Sequence, residues 1–267
     1  MHSLLVHELR LFFVALQFFT RVPVPRWVGF EPAWLQHSAR HFPLVGALVG
    51  ACSAAVLWAA LWFWPAPVAA GLAMATGIWL TGGFHEDGWA DTCDGLGGAV
   101  SREKALAIMK DSRIGSYGAL GLILMLGLKA AALVALLEQD WWLALAALVW
   151  AQCASRAAPV WLIRALPYVG DAEHAKAKPL ATQASARTLV VALAWVGLAS
   201  LGLAWVDPAW TPSLGVAVVG AGGATLLMQA WLDKRLGGYT GDNLGATQQF
   251  VELVALQAFA ANLAAHV

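Results

Sequence analysis

The chain has 267 residues, of which 60% are hydrophobic and only 12% are charged. Soluble domains carry about 25% charged residues, so this composition predicts an integral membrane protein. The formal net charge of zero argues against a nucleic-acid-binding protein, and the three widely spaced cysteines form no CxxC pair that would indicate a zinc site or a disulfide framework.

The first apolar segment, residues 4–20, is interrupted by polar and ionisable side chains. It also lacks a signal-peptide cleavage pattern, so we predict a helix that lies at the membrane interface. Residues 20–25, Thr-Arg-Val-Pro-Val-Pro, then predict a helix stop followed by extended chain. Arg21 is a candidate contact for an anionic substrate, and lipid headgroups are the alternative partner.

Long apolar runs make up most of the remaining chain. A membrane span needs about 20 apolar residues. The predicted spans cover residues 42–64, 67–84, 114–137, 141–164, 188–206, 213–232 and 246–266. The predicted fold class is therefore all-α: a polytopic helical integral membrane protein with about seven transmembrane helices, in a single domain over residues 1–267.

The basic residues support this arrangement of spans. Lys and Arg cluster within residues 10–40, 102–113, 164–187 and 234–235, whereas the connections near 65–66, 138–140 and 207–212 have none. With seven spans, all the basic regions fall on one side of the membrane. The positive-inside rule makes that side cytoplasmic.

An acidic segment follows the second predicted span. Glu86, Asp87, Asp91 and Asp94 place four carboxylates within nine residues, and the three aspartates are spaced i, i+4 and i+7, on one face of a helix. Mg²⁺ takes oxygen ligands of this kind and shares them with substrate phosphates. We therefore predict that these four residues bind Mg²⁺ in a phosphoryl-transfer site on the cytoplasmic side. A hydrated acidic loop is the alternative.

Residues 110–118 form a basic, glycine-containing segment close to the acidic one. Lys110 and Arg113 are spaced i, i+3 and can point at one anion, with Arg suited to bidentate phosphate binding and Lys to a point-charge contact. Asp111, between them, is a candidate substrate contact. The two segments together predict a cytoplasmic active-site region over 85–118, although flanking positive charge alone would give the same basic residues.

Two charged residues fall inside predicted spans, where burying a charge is costly and hints at a function. Arg156 lies towards the cytoplasmic end of its span, and we predict that it reaches a cavity there and contacts substrate. Lys129 is predicted to snorkel to the interface or to pair with another helix.

A glycine-rich loop, within residues 233–246, leads into the last predicted span. Asp242 and Asn243 in this loop are candidate substrate contacts on the same membrane face as the acidic segment. A simple turn and helix cap is the alternative interpretation.

Four of these segments together resemble the cobalamin synthase family, the adenosylcobinamide-GDP ribazoletransferases of bacterial vitamin B12 assembly. The segments are Phe18–Pro25, His85–Gly98, Lys110–Gly118 and Gly237–Ala246. Their order and spacing extend over nearly the whole chain, and the combination is more specific than any one segment.

The resemblance implies a phosphoryl transfer. A ribose hydroxyl of α-ribazole, or of its 5'-phosphate, attacks the phosphorus on the corrinoid side of adenosylcobinamide-GDP; GMP leaves, and adenosylcobalamin or its 5'-phosphate forms. It also implies a Mg²⁺ cofactor and a location in the bacterial cytoplasmic (inner) membrane, with the active site facing the cytoplasm.

Roles for the candidate residues follow from this reaction. The four carboxylates would hold Mg²⁺, or Asp94 would instead accept the proton of the attacking hydroxyl. Lys110 and Arg113 would clamp the pyrophosphate. A homo-oligomer is also possible, since the small residues at 220–224 permit close helix packing.

Two other functions remain open from the sequence. A CDP-alcohol phosphotransferase also carries spaced aspartates at a cytosolic helix end, but residues 87–91 have an acid where that pattern has Ala-Arg. An ion-coupled transporter would suit the charges inside spans, but the acids cluster at one membrane face and no inverted repeat is evident.

Overall fold

The computed structural model describes residues 2–98, 101–170 and 182–261, and nearly all of them are helical. The helices are α1 (His2–Phe19), α2 (Pro32–Ser38), α3 (Phe42–Ala60), α4 (Ala66–Thr81), α5 (Phe84–Gly98), α6 (Arg102–Met109), α7 (Ser116–Gln139), α8 (Trp141–Ser155), α9 (Ala157–Ala165), α10 (Ala186–Val206), α11 (Thr211–Leu236) and α12 (Gly241–Ala260). In these ranges the only strand-like pairing is an isolated bridge between Tyr168 and Tyr239.

Within the part of the chain described, five segments are long and apolar enough to cross a membrane, and six if the bent pair α4–α5 counts as one broken span. The five are Pro32–Ala60, Ser116–Gln139, Trp141–Ala165, Ala186–Val206 and Pro208–Leu236. The predicted fold class, a polytopic helical membrane protein, is confirmed.

The seventh predicted span, 246–266, falls mainly in α12, and its residues 262–266 lie outside the described residues. α12 is not among the apolar segments because it carries Gln248, Gln249 and Glu252 along one side. It packs against α5, α7, α8, α9 and α11, and these three side chains are buried. Protein partners, rather than lipid, therefore surround the polar groups of this helix, as polar groups inside a membrane require.

The second predicted span, 67–84, ends early in the structure. α4 stops at Thr81, and the axis bends by 90° before α5 begins at Phe84. Gly82 and Gly83 make the bend with φ values of +70° and +73°, in the left-handed region that glycine adopts at little cost. The acidic segment is consequently a separate helix, and the predicted helical spacing of its aspartates is confirmed.

α5 is positioned by its contact with the start of α12. A Cβ atom at Gly88 would lie 2.7 Å from the carbonyl oxygen of Asp242, and one at Gly245 would lie 3.3 Å from the Cα of His85. The two backbones thus cross where each has no side chain. This crossing brings the acidic segment and the glycine-rich loop together.

The N-terminal segment forms α1, as predicted, and packs against α2 and α3. One charge that interrupts its apolar run is paired: Glu8 contacts Arg40 and His41, both at 2.9 Å. The location of α1 at a membrane interface stays a prediction.

Candidate active site

Asp87 lies in an open cleft at the bend between α4 and α5. The cleft is lined by Phe18, Thr20, Arg21, Thr81, Gly82, Gly83, Phe84 and Asp87. Arg21 is anchored to α4 through its backbone N–H, which donates to the Leu80 carbonyl at 2.9 Å. Both charged side chains are exposed. The structure therefore brings the predicted anion contact and one predicted metal ligand into a single cleft.

Asp94 has a different environment, at the start of α7. Its Oδ2 accepts a hydrogen bond from the backbone N–H of Gly115 at 2.7 Å, and its Oδ1 accepts one from Gly118 at 2.8 Å. A Cβ atom on either glycine would come within 2.9 Å of the Asp94 Cγ. The two glycines thus let backbone approach this carboxylate, which ties α5 to the first turn of α7.

Glu86 faces away from the cleft and towards α12. Its Oε1 accepts a hydrogen bond from Gln249 Nε2 at 3.0 Å. Its Oε2 is buried in a small cavity that Arg156 and His85 also line. The four predicted metal ligands therefore have at least three different environments along α5.

The arrangement of the carboxylates limits how Mg²⁺ could bind to this protein. Among residues 2–98, 101–170 and 182–261, no group of three or more His, Cys, Asp or Glu side chains is arranged to hold a metal ion. Mg²⁺, however, commonly binds one or two carboxylates and completes its shell with water and substrate phosphates. Exposed Asp87 and half-buried Asp91, one helical turn apart, fit that smaller donor set.

The basic segment lies between α6 and α7. Arg113 forms a bidentate pair with Asp111, with Nη2 at 2.6 Å and Nε at 3.0 Å from the carboxylate oxygens. This hydrogen bonding raises the pKa of the Arg113 guanidinium, which is 87% exposed. Lys110 is exposed as well. An anion that accepts bidentate hydrogen bonds from the Nε and Nη2 groups of Arg113 must displace Asp111.

The two candidates in the glycine-rich loop differ from each other. Asn243 is fully buried; its Nδ2 donates to Thr92 Oγ1 at 3.0 Å, and its Oδ1 accepts from the backbone N–H of Thr240 at 2.9 Å. It thus completes a capping box for α12 and links that helix to α5. Asp242 is half-buried beside Gly88 at the same helix end.

The two charges predicted inside spans are both buried, and both have partners. Arg156 lies at the break between α8 and α9, and its Nη1 donates to Gln152 Oε1 at 2.5 Å. It lines a small cavity together with His85 and Glu86, so the predicted contact with a cavity is present. Lys129 pairs with Glu252 of α12 at 3.0 Å, so the predicted pairing with another helix is confirmed.

Sequence reasoning missed Gln249 and Glu252, which connect these charges to the acidic helix. The signal was present, because residues 248, 249 and 252 place three polar side chains within one turn or so of a predicted span. Such a face predicts polar partners within the bundle.

Comparison with known proteins gives one consistent result. A family model described as cobalamin-5-phosphate synthase matches residues 11–260. A relative from Leptothrix cholodnii, named adenosylcobinamide-GDP ribazoletransferase, is 61% identical over 251 residues, which cover 94% of this chain and 95% of the relative.

Relatives with the same name from Albidiferax ferrireducens and Shewanella oneidensis are 45% and 44% identical. Each alignment covers 92% of this chain, and 95% and 92% of the respective relatives. No solved structure matches the chain.

Proposed function

Since the chain belongs to the cobalamin-5-phosphate synthase family, we propose that it is a membrane transferase that joins adenosylcobinamide-GDP to α-ribazole or α-ribazole 5'-phosphate, with release of GMP. The observation that carries this proposal is the 61% identity to a named adenosylcobinamide-GDP ribazoletransferase over 94% of the chain. The cleft at the α4–α5 bend is the proposed place of reaction.

The cleft supplies what phosphoryl transfer needs, which is positioning and neutralisation of charge rather than covalent chemistry. Arg21 lies in the cleft and contacts the negatively charged pyrophosphate of the donor. Lys110 and Arg113 supply further positive charge, and Arg113 exchanges its Asp111 partner for phosphate oxygens on binding.

Asp87 and Asp91, which lie one turn apart on α5, are the residues that would hold Mg²⁺. Glu86 contacts α12, and Asp94 contacts the start of α7. The chemistry that a metal held by Asp87 and Asp91 would supply is positive charge against the negative charge that develops on the leaving GMP. Asp94 uses both oxygens on backbone N–H groups, so we assign it to positioning rather than to proton transfer. The cleft is open, and the proton of the attacking hydroxyl can pass to solvent.

We further propose that the protein lies in the cytoplasmic membrane with this cleft on the cytoplasmic side. The support is the charge distribution: Arg21, Lys110 and Arg113 belong to the basic regions that the positive-inside rule assigns to the cytoplasm. GDP-linked donors and Mg²⁺ would then reach the site directly.

The proposal is tested with detergent-purified protein and three donor–acceptor mixtures, followed by chromatography of nucleotide and corrinoid products. We expect GMP and a cobalamin-type product from adenosylcobinamide-GDP with α-ribazole or its 5'-phosphate. A CDP-linked alcohol with a suitable acceptor serves as the third mixture, and turnover of that donor alone would contradict the proposal.

A further inference from the structure

A buried ion pair lies close to the acidic helix, among residues that do not line the cleft. Lys129 of α7 and Glu252 of α12 are each 4% exposed, and Nζ lies 3.0 Å from Oε1. Glu252 also accepts hydrogen bonds from Gln152 Nε2 at 2.9 Å and from Gln248 Nε2 at 2.8 Å. The ion pair and its hydrogen-bonding partners therefore join three helices, α7, α8 and α12, and these contacts fix its geometry.

Gln249 connects this ion pair to the acidic helix. Its Oε1 accepts a hydrogen bond from Lys129 Nζ at 2.5 Å, and its Nε2 donates to Glu86 Oε1 at 3.0 Å. The amide can satisfy both neighbours only in this orientation, because Lys129 is a donor and the Glu86 carboxylate is an acceptor. The ion pair thereby sets the orientation of Gln249, and Gln249 sets the position of Glu86.

Stability alone does not account for such a cluster. Replacing a buried ion pair with apolar residues of similar size is often neutral or stabilising, so a buried pair is weak support for a purely structural role. Glu86 immediately precedes Asp87 on α5, and a fixed Glu86 therefore fixes the first turn of the helix that carries Asp87 and Asp91.

We propose that Gln249, Lys129 and Glu252 act as positioning residues, which hold Glu86 and thereby set the placement of Asp87 in the cleft and of Asp91 one turn further along α5. The inference rests on the proposed function, because its effect is on that reaction. All three side chains are buried, and none of them lines the cleft.

The first test is Gln249→Leu, which removes the link to Glu86 and retains the ion pair. Since misplacing reacting groups by about 1 Å can cost about a hundredfold in rate, we expect kcat to fall at least about tenfold. KM for the donor should remain within about twofold of the wild-type value, because substrate contacts are kept. The unfolding temperature in detergent is measured alongside.

The matched control is Gln257→Leu. Gln257 lies two turns further along α12 and donates to the Leu128 carbonyl of α7 at 3.0 Å, without a link to Glu86. We expect wild-type kcat for this variant. Equal losses of kcat in the two variants, or wild-type kcat in Gln249→Leu, would overturn the proposal.

The second test separates position from stability. The double variant Lys129→Met, Glu252→Leu removes both charges, so it should unfold near the wild-type temperature but show a kcat lowered to the level of Gln249→Leu. A double variant with both wild-type stability and wild-type kcat contradicts the proposal. If this double variant does not fold, a double-mutant cycle of Gln249→Leu and Glu86→Gln tests the link instead. The effects of the two changes on kcat and on unfolding temperature should be non-additive, and additive effects on both would contradict the link.

These outcomes are distinct from failure of the proposed function. If wild-type protein forms no product from adenosylcobinamide-GDP, the proposed function fails, and the inference fails with it. If wild-type protein is active and Gln249→Leu is equally active, only the positioning inference fails.

Discussion

Asp94 belongs to the same acidic motif as Asp87, but its carboxylate has a structural environment. Because both of its oxygens accept backbone N–H groups of the α7 start, Asp94→Asn places an amide NH₂ against one of those donors. Charge-assisted hydrogen bonds contribute about 1.5–3 kcal/mol each, so we expect the free energy of unfolding to fall by about 2 kcal/mol. Thermal unfolding in detergent measures the change.

Asp87→Asn is the control for this prediction, since it is a substitution of the same kind on the same helix at an exposed position. We expect its unfolding temperature to match the wild type. An Asp94→Asn protein as stable as Asp87→Asn would show that Asp94 does not cap α7.

Arg113 is expected to affect donor binding rather than stability. Its pair with Asp111 is exposed, and exposed pairs contribute about 0–1 kcal/mol to stability. Arg113→Lys should raise KM for adenosylcobinamide-GDP about tenfold, because Lys lacks the bidentate fork. Steady-state kinetics checks this. Lys104→Ala, an exposed basic change on the neighbouring α6, is the control, and an unchanged KM in Arg113→Lys would remove Arg113 from the site.

The spacing of the acidic residues predicted the helix but not the direction of each carboxylate. The three aspartates share one face of α5, but Asp94 lies about 10 Å further along the helix axis than Asp87, and Glu86 is turned about 100° away from Asp87. Each carboxylate can therefore meet a different neighbouring helix. Asp94 faces Gly115, and Glu86 faces Gln249, because α7 and α12 pack on those sides of α5. Those contacts join residues far apart in sequence, and a local pattern cannot specify them.

The crossing of α5 and α12 depends on a short distance between their backbones. A methyl group at Gly88 would lie 2.7 Å from the Asp242 carbonyl oxygen, so Gly88→Ala must push the helices apart. Overpacking of this kind lowers the free energy of unfolding by about 1–3 kcal/mol, so we expect a lower unfolding temperature and a lower activity for this variant. Thermal unfolding and product formation are both measured.

Gly223→Ala is the matched control, because a Cβ there meets nothing within 4 Å and gains the higher helix propensity of alanine. We expect this control to be at least as stable as the wild type. If both variants behave alike, α5 and α12 are not in close contact at Gly88.

Hydropathy did not locate the end of α4 or predict the environment of α12. The apolar run 67–84 continues past the Gly82–Gly83 bend, so hydropathy assigns one span where the backbone turns by 90°. α12 was predicted as a span on its apolar residues, but Gln249 and Glu252 make it the polar centre of the bundle. The glycine pair at the bend and the polar side of α12 were both visible in the sequence. Hydropathy does not show the sharp turn of the backbone or the helices that surround α12.

The orientation of the protein in the membrane decides whether the proposed cleft opens to the cytoplasm, and the positive-inside rule predicts that it does. In a variant with Cys52, Cys93 and Cys153 replaced by alanine, a single cysteine at exposed Glu103 should react with a membrane-impermeant thiol reagent only after the membrane is opened. A cysteine at exposed Trp64, on the opposite side by the same rule, should react in intact spheroplasts. The reverse pattern would place the cleft outside the cytoplasm.

The fold class could be predicted from composition and run length because the bilayer imposes both. The family was indicated by four short segments, from Phe18–Pro25 to Gly237–Ala246. The structure brings all of them to α5, since Arg21 shares a cleft with Asp87, Gly115 and Gly118 donate to Asp94, and Asp242 lies against Gly88. From the sequence, Lys129 could be predicted to pair with another helix, but Glu252 could not be identified as its partner. Which helices neighbour α7 is a property of the packed bundle.

The most direct measurement is product formation by purified protein from adenosylcobinamide-GDP and α-ribazole, with and without Mg²⁺, for wild type, Asp87→Ala and Asp91→Ala. We expect GMP and corrinoid product from wild type only when Mg²⁺ is present. In both variants we expect the rate to fall about a hundredfold or more while the unfolding temperature stays near that of the wild type. Wild-type rates in Asp87→Ala, or the same rate after chelation of Mg²⁺, would contradict a metal-dependent site in this cleft.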